Sequence, residues 1–392
     1  MKAIIIAFGH PENVLSLAKA VGKLIDLTLL FVFSGDRFKA GVLDIDLRKI
    51  PYGLSTAPEI IQDLIPAPVN NFIDKKFKIW ILRTPSQKIL KDIKLKNYFL
   101  CRKAAKEIHR GNFDVIHFNG TSGFILYFYW ILRKYPKIWT LHDYIAHSGE
   151  GNRKGALVNK FYTKLDFEFI QHYEYLKKEF CRYFQIDPAK VHQIYSGEFD
   201  IFKYFGQKKI DIPGNYILHF GRMSRYKGVD YLIEAFELLA EKIDNVTLVI
   251  AGAGKLWFDI NKHDGRNKII FLNRYIPTEE LNHLLNNCMF VVTPYLDATH
   301  SAVIMTSFAY NKPVVSSNVG GLSEVIRDNK NGKLVPPANP ALLAEAMYEL
   351  LKDPGKLKTF SKYIERMKTQ GNYSWDYIGN KTVQVYNNVI RS

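Results

Sequence analysis

The second half of the chain repeats one pattern with unusual regularity. Short, largely apolar runs near 216–220, 246–251, 269–272, 289–293, 313–317 and 333–335 are each followed by a helical pattern. The best is 228–243, where Leu232, Ala235, Phe236, Leu239 and Ile243 share one face. Parallel strands cannot be joined by tight turns and need such crossovers, so the pattern predicts parallel sheets covered by helices. The first half repeats it more loosely, with strands near 2–8, 26–33, 78–82, 114–118, 137–141 and 191–195 and helices near 12–24, 87–109, 121–134 and 155–182. The expected fold class is therefore α/β, with two Rossmann-like, doubly wound domains. A chain of 392 residues is long enough for two such cores. The expected boundaries are 1–200, 201–370 and a tail, 371–392, with Gly197 to Pro213-Gly214 as the connection.

In folds of this type ligands collect at the carboxyl ends of the strands, so the loops there carry the functional expectations. Phe290-Val-Val-Thr-Pro-Tyr295 reads as a strand, Asp297-Ala-Thr-His-Ser-Ala-Val303 as a polar loop opening a helix. A helix starting near Ser301 aims unpaired N–H groups of Ser301, Ala302 and Val303 at the sheet's mouth, with Ser301 or Thr299 as N-cap. Such a helix start suits a diphosphate. Upstream, Phe220-Gly-Arg-Met-Ser-Arg-Tyr-Lys-Gly228 follows another strand and offers Arg222 and Lys227, with Gly221 permitting close backbone approach; this loop is expected two strand mouths from Ser301. Surface cations and an ordinary capped helix explain either loop alone; a diphosphate explains both together. Gly320-Gly321 is either a second close-approach point or a plain turn.

In the first half, Gly9 at the first strand's mouth is expected to let backbone approach the diphosphate from the opposite side, with His10 beside the acceptor. His142-Asp143 ends another strand, and a histidine there is placed to donate to a sugar hydroxyl in an interdomain cleft. Asp143 and, on the following loop, His147 and Glu150 are expected on the acceptor side.

Net charge is +16 (54 − 38) and unevenly spread. Residues 75–110 hold twelve Lys/Arg against Asp92 and Glu107, with Ile89, Ile93, Leu100, Ala104 and Ile108 at helical spacing and Phe77, Trp80, Tyr98 and Phe99 nearby. That describes a helix resting on an anionic bilayer, or simply a solvated basic face. No nucleic-acid-binding module accompanies the charge, so nucleic acid is not the expected partner. Cys101, Cys181 and Cys288 lie far apart without CxxC spacing, which disfavours a disulfide or zinc framework and suits a cytoplasmic setting. The opening apolar run stops at Gly9-His-Pro and reads as a strand, and Phe124 to Leu132 is too short to span a bilayer. There is no Gly-x-Ser-x-Gly elbow, P-loop or His-Glu-x-x-His helix, and Asp44-Ile-Asp46 lies far from the phosphate loops, so no cofactor or metal is expected.

Taken together these residues resemble the retaining glycosyltransferases of family 4, with the two-Rossmann GT-B architecture. Gly221-Arg…Lys-Gly228, Pro294-Tyr, Lys312-Pro-Val-Val, Gly320-Gly-Leu-Ser-Glu324 and Asn331-Gly-Lys-Leu-Val335 stand in that family's order, and Tyr373-Ser-Trp375 resembles its returning tail. The resemblance implies a nucleotide-diphosphate sugar as donor and a glycan or lipid-linked acceptor. It implies Arg222 and Lys227 on the diphosphate, His142 near the anomeric centre, and Asn273-Arg274-Tyr275-Ile276 beside the base. Many members carry two glutamates eight positions apart where this chain has Ala298 and Thr306; Asp297 or Thr299 is then expected to take the sugar contact and Thr306 a ribose contact. A non-catalytic donor-binding subunit and a non-hydrolysing sugar-nucleotide epimerase are the alternatives in the same fold.

Overall fold

The computed structural model describes residues 1–74, 76–85, 95–142, 153–259 and 268–391. The chain forms two compact units. The first comprises Met1–Ala146, Asn152–Gly197 and Trp375–Ser392; the second contains Glu198–Ser374.

The strands of the first unit are β1 (Lys2–Ala7), β2 (Asp26–Ser34), β3 (Arg37–Ala40), β4 (Leu43–Asp46), β5 (Gly53–Ser55), β6 (Lys78–Thr84), β7 (Val115–Asn119), β8 (Lys137–Thr140), β9 (Glu168–Gln171) and β10 (Val191–Gln193). Eight of them make one sheet in the order β10-β9-β8-β7-β1-β2-β6-β5, parallel except for the β5–β6 pair. Ile4, Ile5 and Ile6 of β1 are fully buried, as a central parallel strand covered on both faces requires. The direction of winding reverses at β1: β2 lies on one side and β7 on the other. Helix Pro11–Gly22 follows β1 and packs on helix Trp375–Arg391, where a Cβ on Gly379 would stand 3.1 Å from Ala20.

A hairpin, β3–β4, is latched to the first helix by a carboxylate. Glu12 accepts from the Val42 N–H (2.7 Å), and a side chain at Gly41 (φ 51°) would overlap the Glu12 carboxyl. Desolvation pushes the Glu12 carboxyl up to about 7, against the lowering effect of its backbone hydrogen bonds.

The expected single helix over 155–182 is corrected to helix Arg153–Tyr162, strand β9 and helix Glu174–Phe184. Phe161, Leu165, Phe169, Tyr173 and Phe180 fall at helical spacing, which hides a four-residue strand. Pairing of β9 with both β8 and β10 decides the matter, because it buries Phe169 and Ile170 inside the sheet. In the basic segment, helix Leu95–Arg110 buries Cys101, Ala104, Ala105 and Ile108 and exposes Lys96, Arg102, Lys103, Lys106 and Arg110. Phe77 is buried and Phe99 exposed, while Lys88, Ile89, Lys91 and Ile93 lie outside the described residues.

The second unit is a six-stranded, wholly parallel sheet of β11 (Asn215–Phe220), β12 (Val246–Ala251), β13 (Ile269–Leu272), β14 (Val291–Thr293), β15 (Val314–Ser317) and β16 (Gly332–Val335). Its order, β13-β12-β11-β14-β15-β16, reverses at β11. Helix Val229–Ala240 buries Leu232, Ala235, Phe236 and Leu239 against Ile217, Leu248 and Ile250, as the helical pattern predicts. No described helix is long and apolar enough to cross a membrane.

Candidate functional site

In the second unit the two predicted phosphate loops follow neighbouring strands. β11 hydrogen-bonds directly beside β14 (Leu218 opposite Val291), so the expected separation of two strand mouths is corrected to adjacency. That junction is where the sheet's winding reverses, the crevice in which such sheets bind ligands.

Contacts bind the two loops together. Leu296 N–H donates to Tyr226 O (2.7 Å), and a Cβ on Gly228 (φ 65°) would stand 2.0 Å from Pro294 O. Only glycine fits there. Gly221 (φ 124°) brings its backbone so near the helix that a Cβ would lie 3.3 Å from Val303 Cγ2. Helix Ala302–Ala309 is capped by Ser301, whose hydroxyl accepts from Ile304 N–H (3.3 Å). Thr299 is not the cap; its hydroxyl lies 3.3 Å from His300 Nδ1. Helix geometry leaves the N–H groups of Ala302 and Val303 without intrahelical acceptors.

Lys227 is half-buried, with Nζ 3.9 Å from the centre of the Tyr295 ring and 5.0 Å from that of Tyr226. Tyr295 is fully buried, its hydroxyl 3.4 Å from Ser301 Oγ. Burial holds the Tyr295 phenol well above its ordinary value, so it stays a neutral platform. Sequence reasoning gave Tyr295 no role; the available signal was an aromatic residue directly after a strand-ending proline. His219, on β11, is fully buried with Nδ1 donating to Val292 O (2.9 Å). Burial, reinforced by Lys227, pushes it down to about 4, so it adds no charge at neutral pH. Arg222 is exposed. The loop thus offers two cations beside two helix-start amides, a set matched to a polyanion.

The remaining predicted donor residues are placed as follows. Asp297 and Thr299 are half-buried on the loop before the helix. Ala298 is buried, and its carbonyl is covered by Gly320 (φ 52°), where a Cβ would stand 1.7 Å away; Gly320 is thereby a close-packing point of the scaffold. Thr306 is 3% exposed and donates its hydroxyl to Ala302 O (2.8 Å). Asn273 to Ile276 follow the edge strand β13. Asn273 Oδ1 accepts from Gly254 N–H, and Arg274 pairs with buried Glu280 (2.6 Å), which Lys208 also reaches (3.1 Å). Tyr275 is 52% exposed and Ile276 half-buried.

In the first unit, Gly9 and His10 follow β1, Asn119 ends β7 and His142 follows β8, around that sheet's own reversal point. His10 adopts a left-handed conformation (φ 51°) at the start of the first helix and is exposed. Its ring lies 4.3 Å from that of His142. Gly120 (φ 86°) leaves room beside Gly9, with a Cβ there 3.8 Å from Gly9 N. His142 is 3% exposed, and both its ring nitrogens meet protein groups: Nε2 lies 3.0 Å from Asn119 Oδ1 and Nδ1 3.2 Å from His172 Nε2. Asp143, His147 and Glu150 lie outside the described residues.

Comparison with known proteins fits this geometry. Residues 66–197 match the Glycosyltransferase Family 4 domain and residues 200–367 the Glycosyl transferases group 1 domain. Each of the two matched stretches is thus similar to a glycosyltransferase domain. The chain is 34% identical over 229 residues to an uncharacterized glycosyltransferase of Methanocaldococcus jannaschii (54% of this chain, 57% of that protein). It is 25% identical over 228 residues to the alpha-maltose-1-phosphate synthase of Mycolicibacterium smegmatis (52% and 58%). The matched stretch thus spans less than two thirds of those relatives. Among solved structures, Anabaena HepE in complex with UDP superimposes with a TM-score of 0.67 at 15% identity, covering 99% of this chain and 100% of that one. Sucrose-phosphate synthase from Thermosynechococcus elongatus gives 0.66 at 17% identity over the full length of both chains. At these identities the likeness shows a shared fold.

Proposed function

We propose that this chain is a retaining glycosyltransferase that moves a hexose from a nucleotide-diphosphate sugar to a glycan or lipid-linked acceptor in cell-surface polysaccharide synthesis. The observation that carries the reading is the meeting of Gly221-Arg222 and Lys227 with the start of helix Ala302–Ala309 at one sheet-reversal point. The Anabaena neighbour was solved with UDP and with UDP-glucose, which supports a nucleotide-sugar donor. A further neighbour, WaaG, is a glycosyltransferase involved in lipopolysaccharide biosynthesis, and shares the fold at a TM-score of 0.60 and 13% identity.

As the glycosidic bond breaks, negative charge grows on the departing diphosphate. Arg222, Lys227 and the Ala302 and Val303 amides are donors for that charge, so the transition state gains more than the ground state. On this reading the leaving group needs no divalent metal, and chelation leaves the rate unchanged. Retention follows if the acceptor attacks the face the diphosphate leaves, with a diphosphate oxygen taking the acceptor's proton. In the first unit the exposed His10 ring is the group offered to the acceptor. The exposed cations of helix Leu95–Arg110 suit an anionic membrane surface near a lipid-linked acceptor.

A second reading, binding without turnover, rests on Ala298 and Thr306: one has no polar side chain, and the other's hydroxyl is spent on its own helix. Incubation with a panel of nucleotide sugars and acceptors, with the product's anomeric configuration read by NMR, separates the two. Nucleotide binding without transfer to any acceptor supports the second reading, and an inverted product overturns retention.

A further inference from the structure

Behind His142 stands a residue that the transfer reaction, as described, does not use. His172 follows β9, is 8% exposed, and joins His142 to the backbone. Its Nδ1 lies 3.1 Å from Ile194 O, and its Nε2 3.2 Å from His142 Nδ1. The ring is wedged: the cavity beside it, lined in part by His117, Thr140 and Ser196, holds only about 10 Å³ and leaves no room to turn away from its partners.

The hydrogen inventory of this chain is constrained. A carbonyl only accepts, so His172 Nδ1 carries a proton and donates to Ile194 O. An uncharged imidazole has one N–H, which leaves His172 Nε2 as an acceptor. The proton in the contact between the rings therefore belongs to His142 Nδ1, and His142 Nε2 is left with a lone pair. That lone pair faces the side-chain amide of Asn119, whose Nδ2 is buried without a protein partner as the amide is oriented. Turning the amide over points its N–H at His142 Nε2, and amide orientation is assigned from such networks. The alternatives, a doubly protonated His142 or His172 at 3% and 8% exposure, each bury a charge that turning the amide avoids.

The geometry points to His172 as a positioning residue. By accepting from His142 Nδ1 it fixes His142 as the Nδ1–H tautomer and sets the ring that His10 meets at 4.3 Å, the two planes tilted by 40°. The effect on transfer rests on the proposed function, in which His10 faces the acceptor; the tautomer does not. A second ring contact fits the same arrangement, the His142 and His172 centroids being 5.0 Å apart with the planes tilted by 36°.

The test uses full-length protein labelled with ¹⁵N-histidine, His142 being assigned by the signal lost in His142→Gln. The ring-nitrogen shifts of the wild type at pH 7.5 are expected to show a neutral Nδ1–H tautomer. In His172→Phe, which keeps a flat aromatic ring but removes the acceptor, His142 is expected to change tautomer or mix both. His172→Gln, whose amide oxygen can accept the same bond, is expected to retain it. With a donor and acceptor that the wild type turns over, His172→Phe is expected to lower kcat about tenfold or more with donor KM nearly unchanged, and His172→Gln to recover part of it. A wild-type His142 that is Nε2–H or doubly protonated overturns the proposal, even if His172→Phe fails to fold. So does an unchanged tautomer in folded His172→Phe, or equal kcat losses in the two variants. Absence of any turnover by the wild type counts against the glycosyltransferase reading alone, since the spectrum still decides the tautomer.

Discussion

Lys227 holds its ammonium 3.9 Å from the centre of the Tyr295 ring, so a buried aromatic on one loop fixes a cation on its neighbour. Tyr295→Leu is expected to weaken binding of a nucleoside diphosphate about five-fold, the scale of a partly desolvated cation–π contact, about 1 kcal/mol. Tyr295→Phe keeps the ring and is expected to bind within about twofold of the parent, the lost Ser301 contact being long. Isothermal titration reads both.

Removing the cations themselves has a larger effect. Arg222→Ala and Lys227→Ala are each expected to cost about 1.5–3 kcal/mol of diphosphate affinity, the range for hydrogen bonds to charged groups. In a thermal-shift assay each variant loses most of the melting-point increase that saturating nucleoside diphosphate gives the parent. Variants that respond like the parent refute the diphosphate assignment.

The loops are expected to fail structurally at one glycine. Gly228→Ala places a methyl against Pro294 O in a left-handed backbone conformation, and is expected to cost about 2–4 kcal/mol. Ser301→Ala removes only the helix cap and is expected to cost about 1 kcal/mol. Urea denaturation of the two variants should reproduce that order.

Glu12 gives the protein a pH-dependent term. Its folded-state value, raised to about 7 by desolvation, lies above the 4.5 of the unfolded chain, so the folded state binds the extra proton. The resulting stabilisation is full below about 4.5 and is lost as pH rises through about 7. Glu12→Gln keeps an oxygen for the Val42 N–H without the ionisation. Since Glu12 is only half-buried by its surface exposure, the variant is expected to gain about 1–2 kcal/mol over the parent at pH 8.5, and little at pH 5. Chemical denaturation across that range checks the sign.

The alternation of strand and helix was legible because buried parallel strands and amphipathic crossovers leave different periods. The start of the helix at Ser301 was legible for a local reason, a capping side chain before an apolar run. β9 was not, because its aromatic residues sit at the spacing of a helix and only pairing with β8 and β10 reveals the strand. Nor was the adjacency of the Arg222 and Ser301 loops: strand order is a property of the closed sheet, and Leu218 and Val291 are far apart in sequence. His172 carries no local signal, thirty positions from the ring it touches. The same holds for the burial of His142, which is set by its neighbours Asn119 and His172.

The helix Trp375–Arg391 belongs to the first unit although the whole of Glu198–Ser374 precedes it. On the ribosome, then, the later unit is complete first, while the earlier one waits with the Ala20 face of its first helix bare. For that interval the nascent chain presents an unfinished apolar surface, and a chaperone that shields it would matter most until that helix emerges.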